Sequence, residues 1–170
     1  MRVLSALGAL ALAVVAQAAL RGLEWRGIPT VDLVLVAVAY IALTGGPVAG
    51  LLAGTVGGLV QDALSPGILG MGGLAKTVVG FLAGRFGTQF IVTATLPRLL
   101  TFAVATFAHA ALFMGAYALL GLRSFPDPLT AVAIQAAGNG LAGVVAFKAS
   151  EWLPRAIERR RVTRGMRVSR

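Results

Sequence analysis

The chain has 170 residues, of which 58% are hydrophobic and only 12% are charged, and its mean hydropathy is +0.87. A soluble domain carries about 25% charged residues, so this composition places the chain among integral membrane proteins. The absence of cysteine excludes disulfides, thiol nucleophiles, Cys-ligated zinc and iron–sulfur clusters.

The apolar runs predict an all-α, polytopic membrane protein with about six transmembrane helices. We expect one transmembrane domain over residues 1–152 and a basic cytoplasmic tail over residues 153–170. The predicted helices are Val3–Leu20, Thr30–Leu43, Pro47–Ala63, Ile68–Gly84, Leu99–Leu122 and Leu129–Trp152.

The first apolar run has two interpretations. Arg2, an apolar core and Ala16-Gln17-Ala18 resemble a secretory signal with its cleavage site. The run is also nearly long enough to span a bilayer, and we favour a retained first helix. After it, Pro29 and Asp32 suit the start of the second helix.

Glycines recur every fourth residue in the third and fourth helices, which places them in one column on each helix face. Small residues let helix backbones approach closely in a bilayer, where apolar burial gives helices no reason to associate. We therefore predict packing or partner-binding faces there. The glycines concerned are Gly46, Gly50, Gly54 and Gly58 in the third helix and Gly80 and Gly84 in the fourth.

The segment Phe86–Pro97 is apolar but contains Thr and Gln, and it is too short to span alone. We predict an interfacial or re-entrant connection between Arg85 and Arg98. The sixth helix is predicted to end at Trp152, before Pro154. Six spans place both termini on one side, and the basic residues of that side predict that both termini are cytoplasmic.

The net charge of +9 is concentrated in the C-terminal tail. No aromatic residue lies between its arginines, so bases would have nothing to stack on, and nucleic acid is not expected as a partner. We predict instead that the tail contacts anionic lipid headgroups. The arginines predicted to make this contact are Arg155, Arg159, Arg160, Arg161 and Arg164.

Charged and polar residues inside membrane helices usually pair or line a wet cavity. Gln61 and Asp62 precede the turn at Ser65, and Lys76 follows it. One hypothesis is an ion pair between Asp62 and Lys76 that fixes how the third and fourth helices meet. The other places both charges at the interface, with Lys76 extending to water.

Three further polar residues lie in the last two helices. Gln135 and Asn139 share a helix face, where they either bond a neighbouring helix, which we favour, or line a small-molecule pocket. His109 is the single histidine, with Thr106 on the same face, and we expect it to be packed and hydrogen-bonded. With no nucleophile elbow, P-loop or zinc motif, the chain is predicted to be a non-enzyme without metal or cofactor.

The middle third of the chain resembles a known family. The runs GGLVQDALS (57–65), GILG (67–70) and GLAKTVVGFLAGR (73–85) are similar to the central segment of the rod shape-determining protein MreD. That family has a Gly-rich helix ending in G-L-x-x-D, a turn with L-G, and a helix ending in G-[FY]-L-x-G-R. The resemblance also implies a bundle like the six-helix S-components of energy-coupling-factor transporters.

The resemblance implies a non-catalytic scaffold of the machinery that elongates the bacterial cell wall. The implied direct partner is the single-span protein MreC. Through MreC the scaffold connects indirectly to MreB filaments, to the glycosyltransferase RodA and to its penicillin-binding transpeptidase. Membrane lipid is a further partner, and self-association into a homodimer stays open.

The alternative function is a vitamin-binding subunit of an energy-coupling-factor transporter. Ala9 and Ala13 have the A-x-x-x-A spacing with which such subunits contact their transporter. A vitamin pocket needs convergent polar or aromatic groups. Trp25, Trp152 and Tyr117 all lie toward predicted helix ends, which argues against such a pocket.

Overall fold

The computed structural model describes residues 3–20, 24–25, 28–89, 95–122, 125 and 127–168, with the backbone alone at 24–25, 28–29 and 153–168. This part of the chain forms six helices and one two-stranded hairpin. The helices are α1 (Val3–Ala19), α2 (Leu33–Gly45), α3 (Pro47–Ala63), α4 (Met71–Gln89), α5 (Thr95–Leu119) and α6 (Pro128–Val168). Strands β1 (Glu24–Trp25) and β2 (Ile28–Pro29) pair antiparallel between α1 and α2.

The shortest helix, α2, is the centre of the bundle. It contacts each of the other five helices. Apart from Tyr40 and Thr44 its side chains are apolar on every side, and Val34, Val38, Ala39 and Ala42 are completely buried. A helix that is hydrophobic on every side is stable where neighbours cover every side, and α2 occupies that place.

The outer surface of the bundle is apolar. Leu4 is 83% exposed, Leu52 57% and Leu119 89%, and many other large apolar side chains are exposed as well. A soluble monomer rarely exposes so much contiguous apolar area, whereas lipid tails cover it without cost. Helix α5 and the segment Pro128–Trp152 of α6 have the length and hydropathy of a membrane span, and α1 and α2 are shorter apolar helices.

The structure corrects several predicted helix boundaries. Helix α4 begins at Met71 and continues through Gln89, and α5 begins at Thr95, so most of the predicted Phe86–Pro97 connection is helical. Residues 90–94 lie outside the described residues. Thr88 lies within α4, one residue before its end, and its hydroxyl donates to the Arg85 carbonyl 2.8 Å away.

Helix α6 also continues through Pro154 to Val168, whereas the sequence predicted its end at Trp152, before Pro154. The residues after Pro154 include Ala, Glu and Arg, which are good helix formers and favour continuation.

The helices alternate in direction, so the connections fall at two ends of the bundle. We call the end that holds the α1–α2, α3–α4 and α5–α6 connections the distal end. The start of α1, the turn between α2 and α3 and the end of α6 lie at the other end. All the buried polar groups described next come together toward the distal end.

Candidate functional site

Asp32 begins the polar site by capping α2. Its side-chain Oδ1 accepts a hydrogen bond from the Leu35 backbone N–H at 2.9 Å. A carboxylate at this position satisfies one of the unpaired N–H groups of a helix start and interacts favourably with the helix dipole. Asp32 is only 2% exposed, so its charge needs a partner inside the protein.

That partner is Lys76, one turn and a half into α4. Its Nζ lies 2.8 Å from Asp32 Oδ2, and both side chains are 3% exposed. Lys76 Nζ also lies 3.1 Å from Nε2 of His109 on α5. The ammonium can only donate, so Nε2 accepts and the ring proton resides on Nδ1. Asp32, Lys76 and His109 therefore join α2, α4 and α5.

Asn139 on α6 connects two further elements to this group. Its Oδ1 accepts from the Asp32 backbone N–H at 2.8 Å, and its Nδ2 donates to the Thr106 hydroxyl on α5 at 2.9 Å. On α3, Gln61 Nε2 lies 3.4 Å from Asp32 Oδ1. We call these six residues the polar centre: Asp32, Gln61, Lys76, Thr106, His109 and Asn139.

Helix α1 is joined to the same region through Gln17. Its Nε2 donates to the Val31 carbonyl at 3.1 Å, and its Oε1 accepts from the Leu33 N–H at 2.7 Å. Polar side chains from α1, α3, α4, α5 and α6 are thus engaged around the start of α2.

Neither hypothesis for Asp62 and Lys76 describes what the structure shows. Lys76 pairs with Asp32, not with Asp62, and it is buried where extension to water was the alternative. Asp62 instead accepts from the backbone N–H groups of Gly70 and Gly73, both at 2.9 Å. It thereby caps the start of α4 from the end of α3, as an N-cap residue would.

Four of the predicted glycines lie where α3 and α4 touch. A Cβ added to Gly50 would overlap the Gly80 carbonyl oxygen, and one added to Gly80 would overlap the Gly50 carbonyl oxygen. A Cβ on Gly54 would overlap the Lys76 carbonyl, and one on Gly58 would lie 2.5 Å from the Gly73 Cα. Real Cβ atoms do not approach backbone this closely, so the two backbones can meet only at glycine.

The remaining two glycines of the predicted set are associated with the α2–α3 turn: Gly46 lies in it, and Gly84 of α4 packs against it. Gly46 precedes α3 with φ at 87°, a conformation that side chains rarely adopt, and a Cβ there would meet nothing. Glycine is therefore required at position 46 by the conformation of the turn, and not by the contact between α3 and α4. Gly84 packs beside this turn, since its Cβ would lie 2.5 Å from the Pro47 Cα.

A cavity of about 290 Å³ opens beside the polar centre at the distal end. Asp32, Lys76, His109, Gln61 and Gln135 contribute to its lining, together with Asp62 and the Ser65–Ile68 turn. Gln135 is buried and contributes to the cavity lining, which is one of the two roles that the sequence offered for Gln135 and Asn139. Asn139 has the other role, because it bonds Asp32 and Thr106 on neighbouring elements.

An aromatic cluster forms another wall of this cavity. Phe113 lies 4.9 Å from Tyr117 and 6.2 Å from Phe125 between ring centroids, and its ring stacks on His109 at 5.8 Å. The Tyr117 hydroxyl accepts from the Ile68 N–H at 3.1 Å. Convergent aromatic groups are therefore present, and the sequence argument against them was wrong because it considered Trp and Tyr and left out Phe.

Two predictions, lipid contact by the tail arginines and the absence of a metal site, are not tested by the structure. The side chains of the tail arginines, Arg155 to Arg164, lie outside the described residues, so their contact with lipid stays a prediction. Among the residues that the structure describes, no group of three His, Asp or Glu could hold a metal ion.

Comparison with known proteins identifies the family. The model of the rod shape-determining protein MreD matches residues 3–132, which include α1 to α5, the polar centre apart from Asn139, and the whole α3–α4 contact. No curated protein and no solved structure was found to match the chain. The match covers well over half of the chain, and the chain therefore belongs to the MreD family, the non-catalytic, multi-pass membrane proteins of the rod-shape machinery.

Proposed function

We propose that this protein is a membrane scaffold of cell-wall elongation that pairs with an MreC-like single-span protein. Membership of the MreD family implies a role in determining rod shape. The pairing with an MreC-like protein is our inference. Through the MreC-like partner the scaffold would connect to RodA, its transpeptidase and MreB filaments.

The way the helices are held together supports a scaffold. The α3–α4 contact depends on glycine at four positions, and the polar centre joins five helices through hydrogen bonds and one ion pair. We infer that the buried Asp32–Lys76 pair serves mainly to specify one arrangement of these helices, since a buried ion pair is weak evidence of added stability. A protein that must present a fixed surface to several partners needs such a defined arrangement.

We further propose that all six helices cross the membrane with both termini in the cytoplasm. The helices alternate in direction, which is compatible with six crossings. The C-terminal part of α6 then carries its basic tail into the cytoplasm, where anionic lipid attracts it. The distal end, with its cavity, faces the outer side of the membrane. Likeness to the S-component bundle stays a prediction, as does homodimer formation.

The proposal rests on the family match and on the many large apolar side chains that are exposed on the outer surface of the bundle. It is tested by placing a photoreactive amino acid, one at a time, at exposed positions on different helices in living cells. Suitable positions are Leu12 on α1, Leu52 on α3, Leu100 on α5 and Leu141 on α6.

A scaffold predicts that one contiguous face crosslinks to a single-span protein with a large extracytoplasmic domain, while the other faces crosslink to lipid. Crosslinks to lipid at every position would contradict the pairing. Crosslinks to an ATPase-driven transporter module would support the vitamin-carrier alternative instead.

A further inference from the structure

We propose that the distal cavity is a binding site for a small, uncharged aromatic molecule that carries an amide or lactam group. The cavity is defined by its polar centre on one side and its aromatic cluster on the other. The proposal is independent of the scaffold role, because it concerns the interior of the bundle and not its outer surface.

The polar side of the cavity has hydrogen-bonding groups that the protein does not satisfy. Gln61 Oε1 is buried and has no partner among the described residues. Its Nε2 faces Asp32 Oδ1, which can only accept, so the amide orientation is fixed and the orphan atom is an acceptor. Buried polar atoms without partners are rare and costly, and each calls for an explanation such as a ligand or water.

The same side also offers donors. The Lys76 ammonium has three N–H groups, and within the described residues it is engaged by Asp32 and His109 alone. Since His109 Nε2 accepts from Lys76, its Nδ1 carries the ring proton and is a second donor. A carbonyl oxygen next to an N–H supplies what these groups lack, since the oxygen accepts from the donors and the N–H donates to Gln61.

The charges of the cavity favour an uncharged ligand. Lys76 is already neutralised by Asp32, and Asp62 is held by two backbone N–H groups at the start of α4. A charged ligand would enter without a free counterion and would lose its own hydration. An amide or lactam has the required hydrogen-bonding groups without that cost.

The opposite wall favours a flat, apolar body. Phe113, Tyr117 and Phe125 meet with ring centroids about 5–6 Å apart, and aromatic groups pack on such rings in offset or edge-to-face geometry. The volume of about 290 Å³ is at the lower end of ligand pockets, so it accommodates one or two rings and no more.

The test uses 4-fluorobenzamide as the probe and the full chain in lipid nanodiscs. Fluorine NMR line broadening is compared with empty nanodiscs, which corrects for partition of the probe into lipid. The matched control is 4-fluorobenzoate, which has the same ring and shape but a negative charge. We expect saturable broadening by the amide with a Kd of about 1 mM, which is reasonable for so small a molecule, and at least tenfold weaker binding of the benzoate.

Two variants locate the binding. Gln61→Leu removes the orphan acceptor and should weaken the amide about tenfold. Phe125→Ala removes one wall without touching the polar centre, and it should weaken amide binding even if Gln61→Leu proves unstable. Thr88→Ala, exposed at the other end of the bundle, is the control and should bind as the unsubstituted protein does.

Three results would overturn the proposal. The fluorine line of the amide could broaden no more than it does with empty nanodiscs, which would mean that the cavity holds water only. The benzoate could bind as tightly as the amide, which would indicate an anion site. Both variants could bind as the Thr88→Ala control does, which would place the probe elsewhere on the protein.

Discussion

The ammonium of Lys76 lies 2.8 Å from the carboxylate of Asp32, although Asp62 is the nearer carboxylate along the chain. The pair joins the second and fourth helices at the buried end of the central helix. Because both partners are almost fully buried, removing either one leaves an uncompensated charge inside the bundle.

Removing one member of this pair should destabilise the bundle strongly. Lys76→Met leaves the Asp32 carboxylate buried without a counterion, and we expect a loss of about 3–5 kcal/mol in the free energy of unfolding. The double variant Asp32→Asn, Lys76→Met should recover part of that loss. The measurement is SDS-induced unfolding in mixed micelles, followed by circular dichroism.

The matched control is another ion pair of the described residues, Arg98–Glu151, at 2.7 Å with Glu151 48% exposed. Glu151→Gln should change the free energy of unfolding by less than about 1 kcal/mol, since exposed pairs contribute little. Equal effects of Lys76→Met and Glu151→Gln would show that the Asp32–Lys76 pair is not buried as described.

Asp62 is predicted to act as a cap. Asp62→Ala removes the acceptor for the Gly70 and Gly73 N–H groups and should cost about 0.5–2 kcal/mol. Asp62→Asn keeps an acceptor oxygen and should cost much less. The same unfolding assay separates the two, and an equally large loss in both variants would instead favour a role for the negative charge itself.

The α3–α4 contact should tolerate no side chain at Gly54. Gly54→Ala places a methyl group against the Lys76 backbone, and relief requires the helices to separate, at a cost of about 1–3 kcal/mol or more. Gly8→Ala is the control, because a Cβ there meets nothing within 4 Å. A Gly54→Ala protein as stable as Gly8→Ala would show that close approach of α3 and α4 at Gly54 does not contribute to stability.

The proposed topology predicts where single cysteines react. The chain has no cysteine, so one can be introduced at exposed Ser65 in the α3–α4 turn or at exposed Thr88 near the end of α4. In intact cells a membrane-impermeant maleimide should label Ser65→Cys, and should label Thr88→Cys only after lysis. The reverse pattern would place the termini outside.

Local sequence was sufficient to predict six helices, though not all of their boundaries, and to predict the glycine contact. The four-residue spacing from Gly50 to Gly58 is a property of one helix face, and α3 was predicted with its observed bounds, Pro47–Ala63. Asp32 was likewise predicted to lie at the start of the second helix, but in the first turn of a helix beginning at Thr30, whereas it caps a helix that begins at Leu33.

The partners of the polar residues could not be found in the same way. Spacing along a chain carries no information about contacts between helices that are distant in sequence. Lys76 was therefore considered with Asp62, whose nearness in sequence suggested a pair, and Asp32 was treated only as a helix start. The cavity was missed because its wall joins Phe113 and Tyr117 of α5 to Phe125 of the next connection.

The most direct test of the central claim is to purify the tagged, full-length protein from its host in mild detergent and identify bound proteins by mass spectrometry. A scaffold of wall elongation predicts recovery of a single-span, coiled-coil protein together with wall synthases, at levels that a Gly54→Leu variant reduces and Gly8→Leu does not. Recovery of transporter subunits with an ATPase, and of no wall synthase, would contradict it.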